Sequence, residues 1–453
     1  MRRIAAIARL TLREAARAGT TASLALLLLA AIVWMAATIE GDGTPAGRIQ
    51  IFLRYAFGVT TGVLTLATLW LAAGRIASEL DDRTLQLVAV KPVRRSEVWL
   101  GKWLGLMALD AILLAICATA IWVCAEVVLR RSAPDARERA EARERTLVPR
   151  LAVKPEAGRI EAEAQTAYKP AGENPEGEES LTEFLRRAEA IRNTVPPGGT
   201  RQWAFRMPAD FKPGQPLGLR TSFTYGSVDR LPMSGTWSLR SAAATSALWS
   251  TSVSNLPSGI ARIALDSSSV PRDGRLILAF SNAPASEAGV ISFNPDATEL
   301  LAGAYALVPN VFRALLVALL KLGILAAAGL LCSAVFSTPM AIFASTSLAV
   351  MLAAVQYFAF TTAPGQAVFA HHHGDEEAPA WYDRASESVA RAAAALVAPV
   401  ETFSAVEAMT DGRVVTWSTV GRATVTLLAL YTGLPALVGI LLFRRRELAG
   451  LST

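Results

Sequence analysis

The chain has 453 residues, of which 52% are hydrophobic and only 18% charged, with a mean hydropathy of +0.36. This composition argues against a soluble globular protein and indicates several membrane-spanning segments. The net charge of +6 does not indicate nucleic-acid binding, because the arginines cluster at the ends of apolar segments. All three cysteines lie in apolar segments, so no disulfide framework is predicted.

The first part of the chain predicts a surface helix followed by three spans over residues 19–129. Residues 1–18 interleave apolar side chains with arginines, which is typical of an amphipathic helix on the cytoplasmic membrane face. Three apolar segments follow, each long enough to cross the hydrocarbon core. They are Thr20–Ile39, Ile51–Ala73 and Trp103–Leu129.

A charged segment, residues 74–102, separates the second predicted span from the third. Its charge density is incompatible with hydrocarbon, and its basic residues place it on the cytoplasmic side. The apolar stretch Leu85–Val90, closed by Lys91 and Pro92, predicts a short amphipathic helix that lies against a membrane or a partner protein.

A change in composition after Leu129 predicts an inserted domain over residues 130–305. Residues 130–150 are dense in arginine, glutamate and alanine, and predict either a helix that continues the third span after a break at Pro134 or a solvated charged linker. Lys154–Ser180 is rich in alanine, proline, glycine and glutamate and predicts a loop or partial disorder, and Leu181–Ile191 has a short helical pattern.

Residues 200–295 show the two-residue period of β-strands and predict an all-β, sandwich-like domain. Because this domain follows an outward span, we expect it to be extracytoplasmic. The predicted strands are 202–207, 217–225, 235–240, 247–253, 261–266, 275–280 and 290–293. The predicted core residues are Trp203, Phe205, Phe223, Tyr225, Trp237, Trp249 and Phe280.

Residues 306–443 predict three further spans, which makes an α-helical membrane protein with six transmembrane helices and both termini in the cytoplasm. A very short turn at Ser337–Pro339 separates the fourth span from the fifth, and residues 361–413 form an external loop with a surface helix at Asp383–Val397. Residues 444–453 form a cytoplasmic tail that opens with three arginines. The spans are Leu307–Phe336, Phe343–Phe360 and Thr416–Phe443.

Several residues of the charged segment resemble the intracellular loop of type-2 ABC exporter permeases. The pattern runs from Glu79 through Thr84-Leu85 and Pro92-Val93-x-Arg95 to Gly101-Lys102. Arg83 replaces the glycine that is usual in the family, and the Phe-Ser-Thr-Pro turn at 336–339 also resembles the family. The resemblance covers the membrane segments, roughly half of the chain, and not the middle.

The resemblance implies that this loop docks on a separate ABC ATPase subunit that carries ATP and Mg, while this chain binds no cofactor itself. It also implies a homodimer or heterodimer of permeases in the bacterial cytoplasmic (inner) membrane. The ATPase-coupling residues would be Glu79, Thr84, Leu85, Leu87, Val88, Pro92, Arg94, Arg95 and Lys102.

The sequence contains no phosphate-binding loop of the form G-x-x-x-x-G-K-[ST] and no motif of a familiar enzyme class, so we expect a permease subunit and not an enzyme. His371 and His373 belong to a polar cluster that predicts a solvated loop tip, with an external metal site as the less favoured interpretation. Asp110 and Lys321 are charges inside spans, and predict either a buried pair or two charges that meet water separately.

Three functions follow in order of preference. The first is the transmembrane subunit of an ATP-driven ABC exporter, in contact with membrane lipid. The second is a membrane-anchored binding or assembly protein whose external β-domain holds a partner without transport. The third is an intramembrane enzyme. The sequence leaves open whether the external domain binds a lipid, a peptide, a polysaccharide or another protein.

Overall fold

The computed structural model describes most of the chain and divides it into two compact units. One unit is helical and comprises Met1–Val148 and Leu307–Thr453, and the other is rich in β-structure and comprises Pro149–Ala306. The described residues are 2–17, 19–41, 43–81, 93–156, 193–208, 211–212, 214–225, 233–241, 247–256, 259–265, 270, 274–283, 289–294, 298–361, 392, 398–400 and 402–445.

The helical unit begins with α1 (Arg2–Arg17), α2 (Gly19–Thr38) and α3 (Pro45–Asp81). The helix predicted over residues 1–18 and the first two predicted spans overlap these helices. At 37 residues, α3 is longer than the hydrocarbon core requires, so its ends extend beyond the apolar segment that the sequence marks.

The third span lies in α4 (Arg95–Ser132), and α5 (Ala136–Leu147) follows it after a break at Ala133–Asp135. Of the two interpretations of residues 130–150, the structure has a helix at Ala136–Leu147 after the break. Pro134 interrupts the helix because it lacks an amide hydrogen and disfavours helical backbone in the residue before it. Glu126 near the end of α4 pairs with Arg143 of α5, which folds α5 back onto the helical unit. The β-unit accordingly begins at Pro149 and not at residue 130.

The second half of the helical unit contains the last apolar helices. They are α6 (Leu307–Val335), α7 (Thr338–Thr361), the short α8 (Ala405–Thr410), α9 (Trp417–Ala423), a π-helical segment over Thr424–Thr432 and α10 (Gly433–Arg445). In the described part of the chain, five helices are long and apolar enough to cross a membrane, and Thr338–Met351 of α7 forms a shorter apolar helix. The structure therefore supports a multi-span protein, with five such helices where the sequence predicts six.

Small residues allow α3 and α6 to approach each other closely. A Cβ atom built on Gly329 of α6 would lie only 2.6 Å from the Cβ of Ala72 and 2.9 Å from the carbonyl oxygen of Leu69. One turn further, the Ser333 hydroxyl accepts hydrogen bonds from the backbone N–H groups of Ile76 and Ala77, each at 2.8 Å. This polar contact between two apolar helices fixes their register, because an unsatisfied hydroxyl would be costly there.

The β-unit contains two antiparallel sheets built from ten strands in the described residues. The larger sheet has the order β1-β10-β4-β9-β2, with β7 also paired to β4, and the smaller has the order β3-β8-β5-β6. Each of the seven predicted strand segments overlaps one of these strands. The strands are β1 (Leu151–Val153), β2 (Thr194–Val195), β3 (Thr200–Arg206), β4 (Leu217–Tyr225), β5 (Met233–Ser241), β6 (Ala247–Leu256), β7 (Gly259–Leu265), β8 (Arg275–Asn282), β9 (Ile291–Phe293) and β10 (Glu299–Ala302).

The two sheets share one apolar core. Five of the seven predicted core aromatics are buried in it, while Trp249 is only partly buried and the side chain of Tyr225 lies outside the description. Phe293 of β9 occupies the centre, with its ring 5.2 Å from those of Trp203 and Phe280 and 5.7 Å from that of Trp237. The alternation of exposed and buried residues along β3 explains why a two-residue period was visible in the sequence.

Candidate functional site

The candidate site is the junction where α3 ends at Asp81 and α4 begins at Arg95. Of the nine predicted coupling residues, Glu79, Arg94, Arg95 and Lys102 flank this junction and are described. The other five, Thr84, Leu85, Leu87, Val88 and Pro92, lie outside the described residues. The structure therefore shows both ends of segment 82–92, and the contacts made at these ends link four helices.

Glu79 and Lys102 form an ion pair that joins the end of α3 to the beginning of α4. Lys102 is buried, with 4% of its side chain exposed, whereas Glu79 retains 27% exposure. The Lys102 ammonium also lies 3.4 Å from the carbonyl oxygen of Arg75. A buried lysine needs such acceptors, because the cost of removing its charge from water is otherwise uncompensated. The ion pair thus holds together the two helix ends between which segment 82–92 runs.

Asp81, the last residue of α3, caps the N-terminus of α7. Its carboxylate accepts hydrogen bonds from the backbone N–H of Thr338 at 3.2 Å and from the Thr338 hydroxyl at 2.8 Å. The first N–H groups of a helix have no partner within the helix, and a carboxylate also interacts favourably with the helix dipole. The end of α3 is thereby attached to the short turn between α6 and α7.

Arg95, the first residue of α4, holds the C-terminus of α10. Its guanidinium donates to the carbonyl oxygens of Phe443 and Arg444, at 2.7 and 2.9 Å, and lies 5.8 Å from the centre of the Phe443 ring. A cation is favoured at a helix C-terminus, where the last carbonyls lack helical partners. Arg95, one of the predicted coupling residues, thus makes a capping contact with α10. Arg94 is exposed, and its N–H donates to the carboxylate of Glu97 at 2.9 Å.

The helix α1 packs against α4 next to this junction, through two glycines that are one turn apart. A Cβ atom on Gly101 would lie 2.6 Å from that of Ile7, and one on Gly105 would lie 2.8 Å from the carbonyl oxygen of Ala8. The backbones therefore approach at the distance typical of small-xxx-small contacts between membrane helices. An amphipathic helix that the sequence places on the membrane surface is thus also fastened to the third span.

These contacts determine what the junction can do mechanically. A displacement of either end of segment 82–92 must carry α3 and α4 with it or break the Glu79–Lys102 pair. The same displacement reaches α7 through Asp81 and α10 through Arg95. Sequence reasoning missed the Asp81–Thr338 contact, although an Asp at the end of one helix and a Ser-Thr-Pro turn before another were both visible signals.

The two intramembrane charges lie in separate surroundings. The Asp110 carboxylate accepts a hydrogen bond from the Thr68 hydroxyl at 2.9 Å, and its second oxygen has no hydrogen-bond partner among the residues that the structure describes. Lys321 borders a cavity together with Arg54 and Glu407. Asp110 is buried and turned towards Thr68 of α3, so among the described residues it neither pairs with Lys321 nor meets water. His371 and His373 lie outside the described residues.

Residues 5–138 match the family model described as "ABC-2 family transporter protein". Residues 5–138 are therefore an ABC-2 family transporter domain. This confirms the resemblance that the loop residues indicated. The searches of curated proteins and of solved structures each found no match.

The ABC-2 domain covers α1 to α4 and the beginning of α5, and it therefore contains the whole junction from Glu79 to Lys102 together with Asp110. Such a domain is a transmembrane component of an ABC transporter and not a catalytic ATPase domain. With the apolar helices, it makes the chain a multi-pass membrane permease. The β-unit, α6 and Lys321 lie outside the matched residues.

Proposed function

We propose that the chain is the permease subunit of an ATP-driven ABC exporter and that a separate ATPase docks on segment 82–92. The observation that carries this proposal is the anchoring of both ends of that segment to the spans, within an ABC-2 domain. If segment 82–92 only connected two helices, its flanking residues Asp81 and Arg95 would not need their contacts with α7 and α10. The partner would bind ATP and Mg, and this chain would bind no nucleotide.

The proposed mechanism is mechanical. ATP binding draws two ATPase subunits together, and each moves the segment that it holds. The motion enters α3 and α4 through the Glu79–Lys102 pair and reaches α7 and α10 through Asp81 and Arg95. The spans then rearrange around a passage shared by two permease subunits. In this proposal six helices cross a bacterial inner membrane, with α7 as the fifth span and both termini in the cytoplasm.

We propose that the contact with the ATPase has an apolar centre, formed by side chains of segment 82–92. Leu85, Leu87 and Val88 provide the apolar side chains of the segment, while Lys91 and Arg94 provide a basic rim. Buried apolar anchors dominate the energetics of interfaces, whereas exposed charges at the rim contribute little. The segment is long enough for one short helix, which suits a groove on a partner.

The test is the double substitution Leu85→Asp and Val88→Asp in the full chain. We expect the variant to insert and fold but to lose capture of the co-expressed ATPase, since two carboxylates would be desolvated in the contact. The measurement is the amount of ATPase that co-purifies, together with its ATP hydrolysis. Matching Asp substitutions at Ala136 and Ala140, both exposed on α5, add the same charge elsewhere and should leave capture unchanged.

Retention of normal capture by the Leu85→Asp, Val88→Asp variant would contradict the proposal. The alternative function, a membrane-anchored binding or assembly protein, would then be favoured. The compact β-unit, which lies outside the ABC-2 match, is the observation that supports this alternative. In both functions we expect the β-unit to be a sandwich-like extracytoplasmic domain, since its two sheets enclose a shared core.

A further inference from the structure

The β-unit has a long sheet edge at β6. Among the strands that the structure describes, β6 is the last in the order β3-β8-β5-β6 and pairs only with β5. It has ten residues, Ala247–Leu256. Every second residue of an edge strand directs its backbone N–H and C=O groups away from the sheet, where they need water or a further strand.

The other sheet edges in the described part of the β-unit carry features that discourage pairing with another chain. The edge strands β1 and β2 have only three and two residues, and β7 carries Arg262. At β3, the carbonyl oxygen of Ala204 accepts a hydrogen bond from the N–H of Glu156 at 2.8 Å. The Arg206 guanidinium also lies 3.6 Å from the Glu156 carboxylate. Short strands, charges and cover by another segment are the usual protection of sheet edges.

The strand β6 carries no charged residue. Its sequence, ALWSTSVSNL, offers only small hydroxyls, one amide and apolar side chains. Its pairing register with β5 shifts at either end of residues 249–253, which form the regular part of the strand. Five regular residues are the ordinary length of a β-strand, so this part of the edge can accept a further strand.

Two apolar side chains in this regular part are only partly covered by the core of the β-unit. They are Trp249, which lies opposite the buried Leu239 of β5, and Val253, which lies opposite Gly235. A further strand beside β6 would place new neighbours on the same face of the sheet and cover both side chains.

Residues 249–253 are complementary to a second copy of themselves. In an antiparallel pair centred on Thr251, Trp249 of one copy lies opposite Val253 of the other, and Ser250 lies opposite Ser252. Cross-strand pairs of an aromatic with a β-branched residue and of two hydroxyls are favourable, and like charges do not meet because the strand has none. A second copy therefore fits this edge better than a charged segment would.

We propose that β6 pairs antiparallel with β6 of a second copy of this chain, with Thr251 of both copies at the centre of the pair. The two copies are then related by a two-fold axis, and the contact closes on itself because each copy covers the edge of the other. The proposal adds a contact to the two-subunit arrangement of the proposed function, but it needs no ATPase. Its failure and the failure of ATPase capture are therefore separate results.

The first test is disulfide cross-linking of the full chain, expressed without the ATPase and oxidised in membranes with copper phenanthroline. In Thr251→Cys the two introduced thiols lie on directly opposite residues, whose Cα atoms are about 5 Å apart and within reach of a disulfide. In Ser250→Cys they lie on diagonal neighbours, about 7–8 Å apart and out of reach. We expect about tenfold more dimer from Thr251→Cys on a non-reducing gel.

Three controls accompany this measurement. Co-expressed Ser250→Cys and Ser252→Cys chains should cross-link with each other, because the proposed register places these residues opposite. Thr200→Cys, exposed on β3 at the other edge of the same sheet, should form no dimer above the background. The chain with its three native cysteines provides that background.

The second test places charges across the proposed pair in the Thr251→Cys background. Ser250→Lys with Ser252→Lys sets ammonium groups opposite each other and should lower the dimer yield about tenfold. Ser250→Glu with Ser252→Lys sets each carboxylate opposite an ammonium of the second copy and should restore the yield. Both serines are exposed, so the Tm should stay unchanged in both variants.

Four results would overturn the proposal. The first is a dimer yield from Thr251→Cys that stays at the background of the native cysteines. The second is an equal yield from Thr200→Cys, which would show random collision. The third is an equal yield from the two charged variants, which would show that the copies do not meet in this register. The fourth is a Thr251→Cys adduct with a different protein, which would show that an extended segment of that protein occupies the edge.

Discussion

At the scale of single residues, the two side chains of the Glu79–Lys102 pair differ in solvent exposure, and this difference affects the stability of variants. Lys102 is almost fully buried, while more than a quarter of the Glu79 side chain remains in contact with solvent. Loss of either partner breaks the same ion pair, but what is left behind differs. A partly exposed carboxylate can be hydrated, whereas the buried ammonium keeps, among the described residues, only the carbonyl of Arg75 at 3.4 Å.

We therefore predict that Glu79→Gln destabilises the protein more than Lys102→Met. Glu79→Gln should cost about 3 kcal/mol, because it leaves a buried charge without its counter-charge. Lys102→Met removes that charge and keeps the volume of the side chain, so it should cost about 1 kcal/mol. The measurement is the Tm of the detergent-solubilised protein for each variant.

The double variant Glu79→Gln, Lys102→Met should recover stability relative to Glu79→Gln alone, since no buried charge remains. Glu138→Gln, on the exposed surface of α5, is the matched control and should leave the Tm unchanged. Strictly additive losses in the double variant would show that the two side chains do not interact.

At the scale of elements, the two faces of α4 near its N-terminus receive different partners. One face presents Gly101 and Gly105 to α1, and another carries Lys102 to Glu79 on α3. Glu14 of α1 also lies 3.7 Å from Arg75 of α3. The helix α1 therefore contacts both α3 and α4 at the junction. We expect α1 to move together with these two helix ends.

Alanine substitutions at the two glycines test this packing. Gly101→Ala and Gly105→Ala should each lower stability by about 1–3 kcal/mol, because the new methyl groups would meet backbone carbonyls of α1 that cannot turn aside. The loss should appear as a lower Tm and as faster trypsin cleavage at the arginines of α1.

Gly74→Ala is the control for this pair. Gly74 lies in α3, and a Cβ atom there would meet nothing within 4 Å. The substitution should be neutral or stabilise the helix by about 0.5–1 kcal/mol, since alanine favours helical backbone over glycine. If Gly101→Ala behaved like Gly74→Ala, α1 would not be packed against α4 as described.

At the scale of the whole molecule, the β-unit is an insertion whose two ends lie side by side. Its first strand, β1, pairs with its last strand, β10, from Leu151 opposite Ala302 to Val153 opposite Leu300. A domain with adjacent ends can be inserted between two helices without stretching either of them. The β-unit thus keeps its own core while α5 and α6 remain in the helical unit.

The proposed sidedness of the membrane can be tested with introduced cysteines. A cysteine at Ser250, exposed on β6, should react with a membrane-impermeant thiol reagent on intact cells. A cysteine at Ser96, in the first turn of α4, should react only after the membrane has been permeabilised. The chain with only its three native cysteines provides the background. Labelling in the opposite pattern would reverse the proposed topology of every span.

Much of this architecture is readable in the sequence because it depends on local patterns. Apolar length marks the spans, and the two-residue period marks strands such as β3 and β4, since both follow from which residues can leave water. The helix after Pro134 is readable for a similar reason, because arginine, glutamate and alanine all favour helical backbone. The loop residues from Glu79 to Lys102 likewise point to the family that residues 5–138 match.

Contacts between distant parts of the chain could not be read in this way. The hydrogen bond from Thr338 to Asp81 joins residues 257 positions apart, and Arg95 reaches Phe443 across 348 positions. Both depend on how the helices pack, which also directs Asp110 to Thr68 and away from Lys321. Gly58 and Gly101 look alike in the sequence, yet only the neighbouring helix decides that one opens a cavity and the other admits α1. Local composition thus determined the elements of this protein, while tertiary packing alone decided their partners, because one helix face can satisfy the same hydrophobic requirement against many neighbours.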